Sequence, residues 1–180
     1  MCLLTGDAGA DATSRYQNPD LLGHVYVGPY ILGEPDLALI AADGDGVTGY
    51  CLATSDTRGF AAWADREWWP TLRAEFPRRS DSTPDADLIE LLHEPPSVDA
   101  AILDAYPAHL HLDLIERARG SGVARRLVER QLRQLVARGA AACHLVAATS
   151  NRNAIGFYEH LGWRVLDQRD DDTVMGLTLR

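Results

Sequence analysis

Between His109 and Val136 the apolar residues change their period within a few positions, and that change allows few structures. His109, Leu110, His111, Leu112, Asp113 and Leu114 alternate polar and apolar, the repeat of a half-buried strand. Beyond the turn Arg119-Gly120-Ser121-Gly122, the residues Val123, Leu127, Val128, Leu132, Leu135 and Val136 return at helical spacing. A strand that runs through glycines into a helix leaves N–H groups unpaired at the helix start, with the positive end of the helix dipole behind them. Such an arrangement binds phosphate. The pattern therefore predicts a phosphorylated cofactor.

Which cofactor depends on what the turn lacks. A P-loop needs a lysine after its second glycine, and the chain's seventeen basic residues are all arginine. A dinucleotide fingerprint needs a small third residue where Arg125 stands, and the next strand-like run, His144 to Ala148, has no acidic residue for a ribose. What fits is the RxxGxG/A signature, which Arg119-Gly120-Ser121-Gly122-Val123-Ala124 matches at each defined position. Asn151 to Trp163 matches NxxAxxFYxxxGF, with Trp163 in place of the final phenylalanine. These two motifs, in this order, resemble the GCN5-related N-acetyltransferases over roughly Leu37 to Arg180. Gly49-Tyr50, Asp56-Thr57, Trp69-Pro70-Thr71-Leu72-Arg73 and Phe76-Pro77 resemble, more narrowly, bacterial acetyltransferases related to the C-terminal acetyltransferase-like domain of O-GlcNAcase.

The resemblance implies an α/β (α+β) fold: a mixed, mostly antiparallel twisted sheet flanked by helices and splayed between its two central strands. It implies one acetyltransferase domain over residues 1–180. Met1 to Asn18 offers no clear first strand, so either that strand is absent or the natural start lies upstream. Asp20 to Gly28 reads as a helix capped by Asp20 and stopped by Pro29. Leu37 to Ala42 and Val47 to Thr54 flank Asp43-Gly44-Asp45-Gly46, a hairpin signal. Phe60 to Phe76 is helical, with Pro70 kinking it or starting a second segment. Trp63, Trp68 and Trp69 there either pack against the sheet or wall an acceptor pocket. Arg78 to Ala86 reads as a loop, Asp87 to His93 as a short helix, and Val98 to Ala105 as a helix capped by Ser97.

The net charge of −9 argues against nucleic-acid binding, and no apolar run reaches the ~20 residues of a membrane span. Cys2, Cys51 and Cys143 are odd in number and far apart, and read as reduced thiols of a cytoplasmic, bacterial protein rather than as a disulfide or metal set. Monomer and homodimer both stay open.

By resemblance, acetyl-CoA is the cofactor. Gly120, Ser121, Gly122, Val123 and Ala124 would cradle its pyrophosphate through backbone N–H groups. Arg119, Arg125 and Arg126 would either add charge there or form an exposed helix face. Strand His109 to Leu114 would carry a bulge and splay from His144 to Ala148, with the pantetheine arm pairing to backbone at Leu112, Asp113 and Leu114. A backbone N–H near Leu114 would polarise the thioester carbonyl. Asn151 would hold the pantetheine or cap a helix. Tyr158 matches the family's general acid. Alternation sets His109, His111 and Asp113 on one strand face. Asp113 or His111 is the candidate to take the amine proton, or Asp113 to hold a cationic acceptor; the alternative is that all three bond the N-terminal helices or solvent. The implied reaction is direct attack of an amine, on a small molecule, peptide or protein, on the acetyl thioester. The alternative is an acyl-CoA-binding module without turnover.

Overall fold

The computed structural model describes residues 1–179; Arg180, the last residue of the expected 1–180 domain, lies outside them. Six strands make one sheet: β1 (Leu39–Asp43), β2 (Gly46–Thr54), β3 (Ala108–Leu114), β4 (Ala142–Ala148), β5 (Arg164–Gln168) and β6 (Asp172–Thr178). Their order is β1-β2-β3-β4-β6-β5, and every pairing is antiparallel except β3 with β4. The Asp-Gly signal closes β1 onto β2 at Asp43↔Gly46. No strand forms before β1 among the described residues; the first eighteen carry a 3-10 turn, Cys2–Leu4, and an isolated bridge between Asp7 and Ala10.

Among the described residues eight α-helices flank the sheet: α1 (Leu21–Tyr26), α2 (Gly28–Gly33), α3 (Thr57–Glu67), α4 (Trp69–Glu75), α5 (Pro84–His93), α6 (Ala100–Ala105), α7 (Val123–Ala137) and α8 (Arg152–His160). Four helix ends differ from the sequence reading. Asp20 stands at the N-cap of α1 without a side-chain cap bond, and Pro29 opens α2 instead of stopping α1. Proline in a first helical turn removes only an N–H that would be unpaired anyway, and Pro70 opens α4 in the same way. Asp99, not Ser97, caps α6 by accepting from the Ala101 N–H (2.7 Å), and Thr83 caps α5, which begins at Pro84 inside the expected loop. Asp56 caps α3 through the Gly59 N–H (3.1 Å).

The main core lies between the sheet and helices α7 and α8, around Ala53, Leu110, Val128, Leu135, Leu145, Tyr158, Trp163 and Met175. A second core sits among the helices themselves. It takes in Leu21, Leu22 and Val25 of α1, Trp69 and Leu72 of α4, and Leu88, Ile89 and Leu92 of α5. The tryptophans pack there rather than against the sheet: Trp69 is buried, Trp68 donates its Nε1–H to the His24 carbonyl (3.0 Å), and Trp63 stacks on Phe60. A third, smaller core of Cys51, Leu114, Ile115, Ala118 and Leu127 lies beneath the first turns of α7.

Gln131 on α7 is fully buried, yet neither its Nε2 nor its Oε1 finds a partner among the described residues. An unpaired buried amide costs about 1–3 kcal/mol of desolvation. Gln131→Met keeps the length and helix preference of the side chain and removes that cost. Thermal unfolding of the variant is expected to be raised by about 2–4 °C, the equivalent of roughly 1 kcal/mol in a chain of this size.

Candidate functional site

The site lies where β3 and β4 part. Their parallel ladder consists of Ala108↔Cys143 and His109↔His144. Beyond it β3 is held by β2, and β4 by β6. Ile115 donates its N–H to the Thr48 carbonyl at the β2 edge (3.0 Å). By strand alternation, the backbone groups of Leu112 and Leu114 then point the opposite way, into the gap. The splay is therefore present, and the bulge is not: the β2–β3 register runs unbroken from Gly49↔Leu114 to Thr54↔His109. Gly49 explains why. A Cβ there would stand 2.1 Å from Leu114 Cδ2 and 2.5 Å from the Asp113 carbonyl, so its absence lets the two strands close without an extra residue.

At the open end of the gap the chain turns into α7. Gly120 and Gly122 hold left-handed conformations (φ 72° and 76°). The first hydrogen bond of the helix runs from the Arg126 N–H to the Gly122 carbonyl (3.2 Å), and the N–H groups of Gly120, Ser121, Gly122, Val123, Ala124 and Arg125 meet no acceptor among the described residues. Six donors without a protein acceptor thus lie at and just before the positive end of a 15-residue helix. The nearby arginines divide. Arg119 donates Nε (3.2 Å) and Nη2 (3.1 Å) to the Leu114 carbonyl and Nη2 also to the Gly9 carbonyl. Arg125 is turned along the helix to Glu129 (2.7 Å), and Arg126 reaches the Ser121 carbonyl (3.3 Å). Ser121 Oγ is committed to the Ala118 carbonyl (2.6 Å).

On the opposite face of β3, the row His109, His111, Asp113 meets the helical layer. His109 is held at both ring nitrogens, by the Tyr30 hydroxyl at Nε2 (2.5 Å) and Thr57 Oγ1 at Nδ1 (2.8 Å). Burial lowers its pKa to about 3, with help from the neighbouring His144 and His111. It is a structural, neutral ring. Asp113 is different. Burial pushes its carboxyl up, but the nearby His111 and the hydroxyls of Tyr50 and Thr5 outweigh burial and hold it below the ordinary carboxylate range. The Tyr50 hydroxyl donates to Asp113 Oδ2 at 2.6 Å. His111 Nε2 lies 3.2 Å from the same oxygen, off the line of a well-formed hydrogen bond, and its ring stacks on Tyr26.

Across the gap, Asn151 caps α8 by accepting from the Ala154 N–H (3.1 Å). Tyr158 on that helix is buried, with its ring edge-on to Trp163 at 5.5 Å. Burial, and then Cys51, Asp113 and Cys143, raise its hydroxyl well above the usual range, and no hydrogen bond from a described residue reaches it. Among the described residues no group of three or more His, Cys, Asp or Glu could hold a metal ion, and no helix is long and apolar enough to cross a membrane.

Residues 101–170 match the family described as FR47-like protein. The chain is 26% identical to Protein O-GlcNAcase of Rattus norvegicus, and equally to that of Mus musculus, over 148 residues; the match takes in 80% of this chain and only 16% of theirs. It is 36% identical to SsHAT, whose crystal structure superposes with a TM-score of 0.91 over 98% of this chain and 89% of that one. The chain belongs to the GCN5-related N-acetyltransferase family. Its mixed six-stranded sheet is that family's fold, shared at 10% identity with an N-acetyltransferase from Staphylococcus aureus Mu50 (TM-score 0.56, covering 99% of this chain and 90% of that one). Family and fold together make it an acetyltransferase.

Of the residues that sequence reasoning singled out, Leu112 and Leu114 turn their backbone to the gap, Gly120 to Ala124 lie at the start of α7, and Asn151 and Tyr158 belong to the helix after β4; the Asp113 backbone turns to β2 instead. Tyr50 was seen only as part of a motif, because its alignment with Asp113 depends on a pairing between strands 63 residues apart. Thr5 and Gly9 carried no sequence signal, and Cys2 was read only as a reduced thiol.

The lowered pKa of His109 has a consequence for stability. Below its ordinary value of 6.5 the unfolded chain binds a proton at this ring, and the folded protein does not until about pH 3. Unfolding then takes up a proton, so stability falls as the pH is lowered through that window, by about 1.4 kcal/mol per pH unit at most. Urea unfolding at pH 6.5, 5.5 and 4.5 should show this fall for the wild type and a shallower one for His109→Gln.

Proposed function

We propose that this acetyltransferase carries an acetyl group from acetyl-CoA to a primary amine by direct attack, within a single domain spanning residues 1–180. The observation that carries the reading is the two-pair parallel ladder opening onto six unaccepted N–H groups at the start of α7. A β-strand edge suits the amide-bearing pantetheine arm, and outward N–H groups suit a diphosphate. Backbone at Leu112 and Leu114 would pair with the arm, whereas Asp113, expected to share in that pairing, turns its backbone to β2 opposite Tyr50, and Gly120, Ser121, Gly122, Val123 and Ala124 would hold the diphosphate. Arg119 and the Asn151 amide would border it.

Bound there, acetyl-CoA supplies an activated acyl group on a thiol leaving group. The chain's part is to manage charge and protons. Tyr158 would give its hydroxyl proton to the departing sulfur; burial holds that proton on the oxygen of the free protein and makes the hydroxyl a weaker acid there than an exposed tyrosine. Asp113 stays ionised because the His111 contact and the Tyr50 hydrogen bond favour the carboxylate. A carboxylate with a lowered pKa is a weak base for an amine but a good anchor for an ammonium, so Asp113 draws in the cationic acceptor. His111, 3.2 Å away, takes the proton that the amine must lose. The acceptor is accordingly a cationic primary amine, on a small molecule, peptide or protein.

Coenzyme A binding by calorimetry, followed by thiol release with a panel of primary amines, tests the reading. Tyr158→Phe is expected to lower kcat by about a hundredfold or more with little change in acetyl-CoA affinity. Asp113→Asn should raise KM for the amine more than it lowers kcat. Acetyl-CoA binding without thiol release for any amine would instead favour a binding module without turnover.

A further inference from the structure

The two oxygens of the Asp113 carboxylate are not equivalent. Oδ2 takes the Tyr50 hydroxyl proton at 2.6 Å and has His111 Nε2 beside it at 3.2 Å. Oδ1 meets no donor of good geometry among the described residues and stays open to solvent. The Thr5 hydroxyl stands near the carboxylate but is turned to the Met1 and Cys2 carbonyls (3.3 and 3.4 Å). Both groups at Oδ2 are fixed in place. Tyr50 is buried directly across the β2–β3 pairing from Asp113, burial holds its proton on the oxygen, and its other polar neighbour, Cys2 Sγ, is 3.9 Å away. The His111 ring lies between two tyrosines, stacked on Tyr26 (centroids 6.0 Å apart, planes at 18°) and tilted against Tyr50 (5.7 Å, 30°), so it turns away from Oδ2 only by breaking the stack.

We propose that Tyr50 is a specificity-determining residue of the acceptor site: by closing Oδ2 it leaves Asp113 one usable oxygen, which selects a primary alkylammonium and rejects a guanidinium. The proposal rests on the reading of Asp113 as the group that draws in the acceptor. A carboxylate oxygen accepts about two hydrogen bonds, and Tyr50 and His111 stand at both positions of Oδ2. A guanidinium binds a carboxylate best as a fork, with one N–H bond to each oxygen, whereas an ammonium is a compact charge that needs only one of them.

A guanidinium at Asp113 therefore has two choices, and both cost it affinity. It gives up its second bond, or it displaces the Tyr50 hydroxyl and leaves a buried donor unpaired. The ammonium approaches Oδ1 and disturbs neither partner of Oδ2. The distinction matters for the reaction, because a guanidinium carries the same charge but keeps its protons in a protein site, and so would occupy the anchor without becoming a nucleophile. Negative selection of this kind comes from the committed oxygen and not from any added repulsive charge.

Two substitutions reopen Oδ2 from its two sides. Tyr50→Phe keeps the ring against His111 and removes only the hydroxyl, and His111→Phe keeps a ring to stack on Tyr26 and removes Nε2. Calorimetric titration of the coenzyme A complexes of wild type and both variants, once with pentylamine and once with pentylguanidine, reads the selection without requiring turnover. The wild type is expected to bind pentylamine at least roughly tenfold more tightly than pentylguanidine, the size of one charge-assisted hydrogen bond. In Tyr50→Phe that preference should shrink to about threefold or less, with the affinity for coenzyme A unchanged, and His111→Phe should move it in the same direction. A wild type that binds the two cations equally, or a Tyr50→Phe that keeps the full preference, would overturn the role of Tyr50 while leaving the cofactor site and the Asp113 anchor intact. Coenzyme A binding with no heat from either cation would overturn the anchor and the selection together, and no binding of coenzyme A would overturn the cofactor site beneath both.

Discussion

Strands β3 and β4 share a parallel ladder for two residue pairs and then separate, and the geometry of the site follows from where that ladder stops. A sheet that ends a pairing early leaves strand-edge N–H and C=O groups without partners, a costly state inside a protein unless another chain or ligand meets them. Here the antiparallel neighbours stay fully paired on either side, β3 with β2 and β4 with β6, so the opening is confined to one seam. The glycine turn and α7 then place their unaccepted amides at the end of that seam. The open strand edge and the helix start are thereby two parts of one groove.

The two faces of β3 divide the work. Leu110 and Leu114 are buried against α7 and the small core beneath it, which fixes the strand rigidly. The other face carries three polar residues in a gradient. His109 is sealed between Tyr30 and Thr57, His111 is stacked and part-exposed, and Asp113 keeps about a quarter of its side chain accessible (23%). Burying the first as a neutral ring lets the helices α2 and α3 anchor the strand without a buried charge. The charge is kept at the far end, where the seam opens.

Much of the groove was legible in the sequence because its determinants are local. The glycines of Arg119 to Gly122, the helical spacing from Val123, and the capping asparagine ahead of Tyr158 each dictate their own geometry within a few residues. The Asp-Gly hairpin between β1 and β2 is of the same kind. What escaped was non-local. Whether β3 needs a bulge depended on Gly49 in another strand, and the partner of Asp113 depended on how Tyr50 registers against it. Pro29 and Pro70 were ambiguous because proline both ends and begins helices, and only packing of the following turn decides between the two. The position of residues 1–12 has no pattern of period or motif behind it; it is set by Arg119 at the Gly9 carbonyl and by the packing of Cys2, Leu3 and Ala12 on the helical core, which come together only in the folded protein.

On the proposed reading, unaccepted amides at the start of α7 grip a diphosphate and so bring an acyl carrier to the seam. The most direct measurement is a pair of calorimetric titrations of the wild-type protein, one with coenzyme A and one with pantetheine, which keeps the thiol and amide arm but lacks the diphosphate. Coenzyme A should bind at least about a hundredfold more tightly, a difference of roughly 2.7 kcal/mol. Equal affinity for the two, or no heat with either, would contradict it.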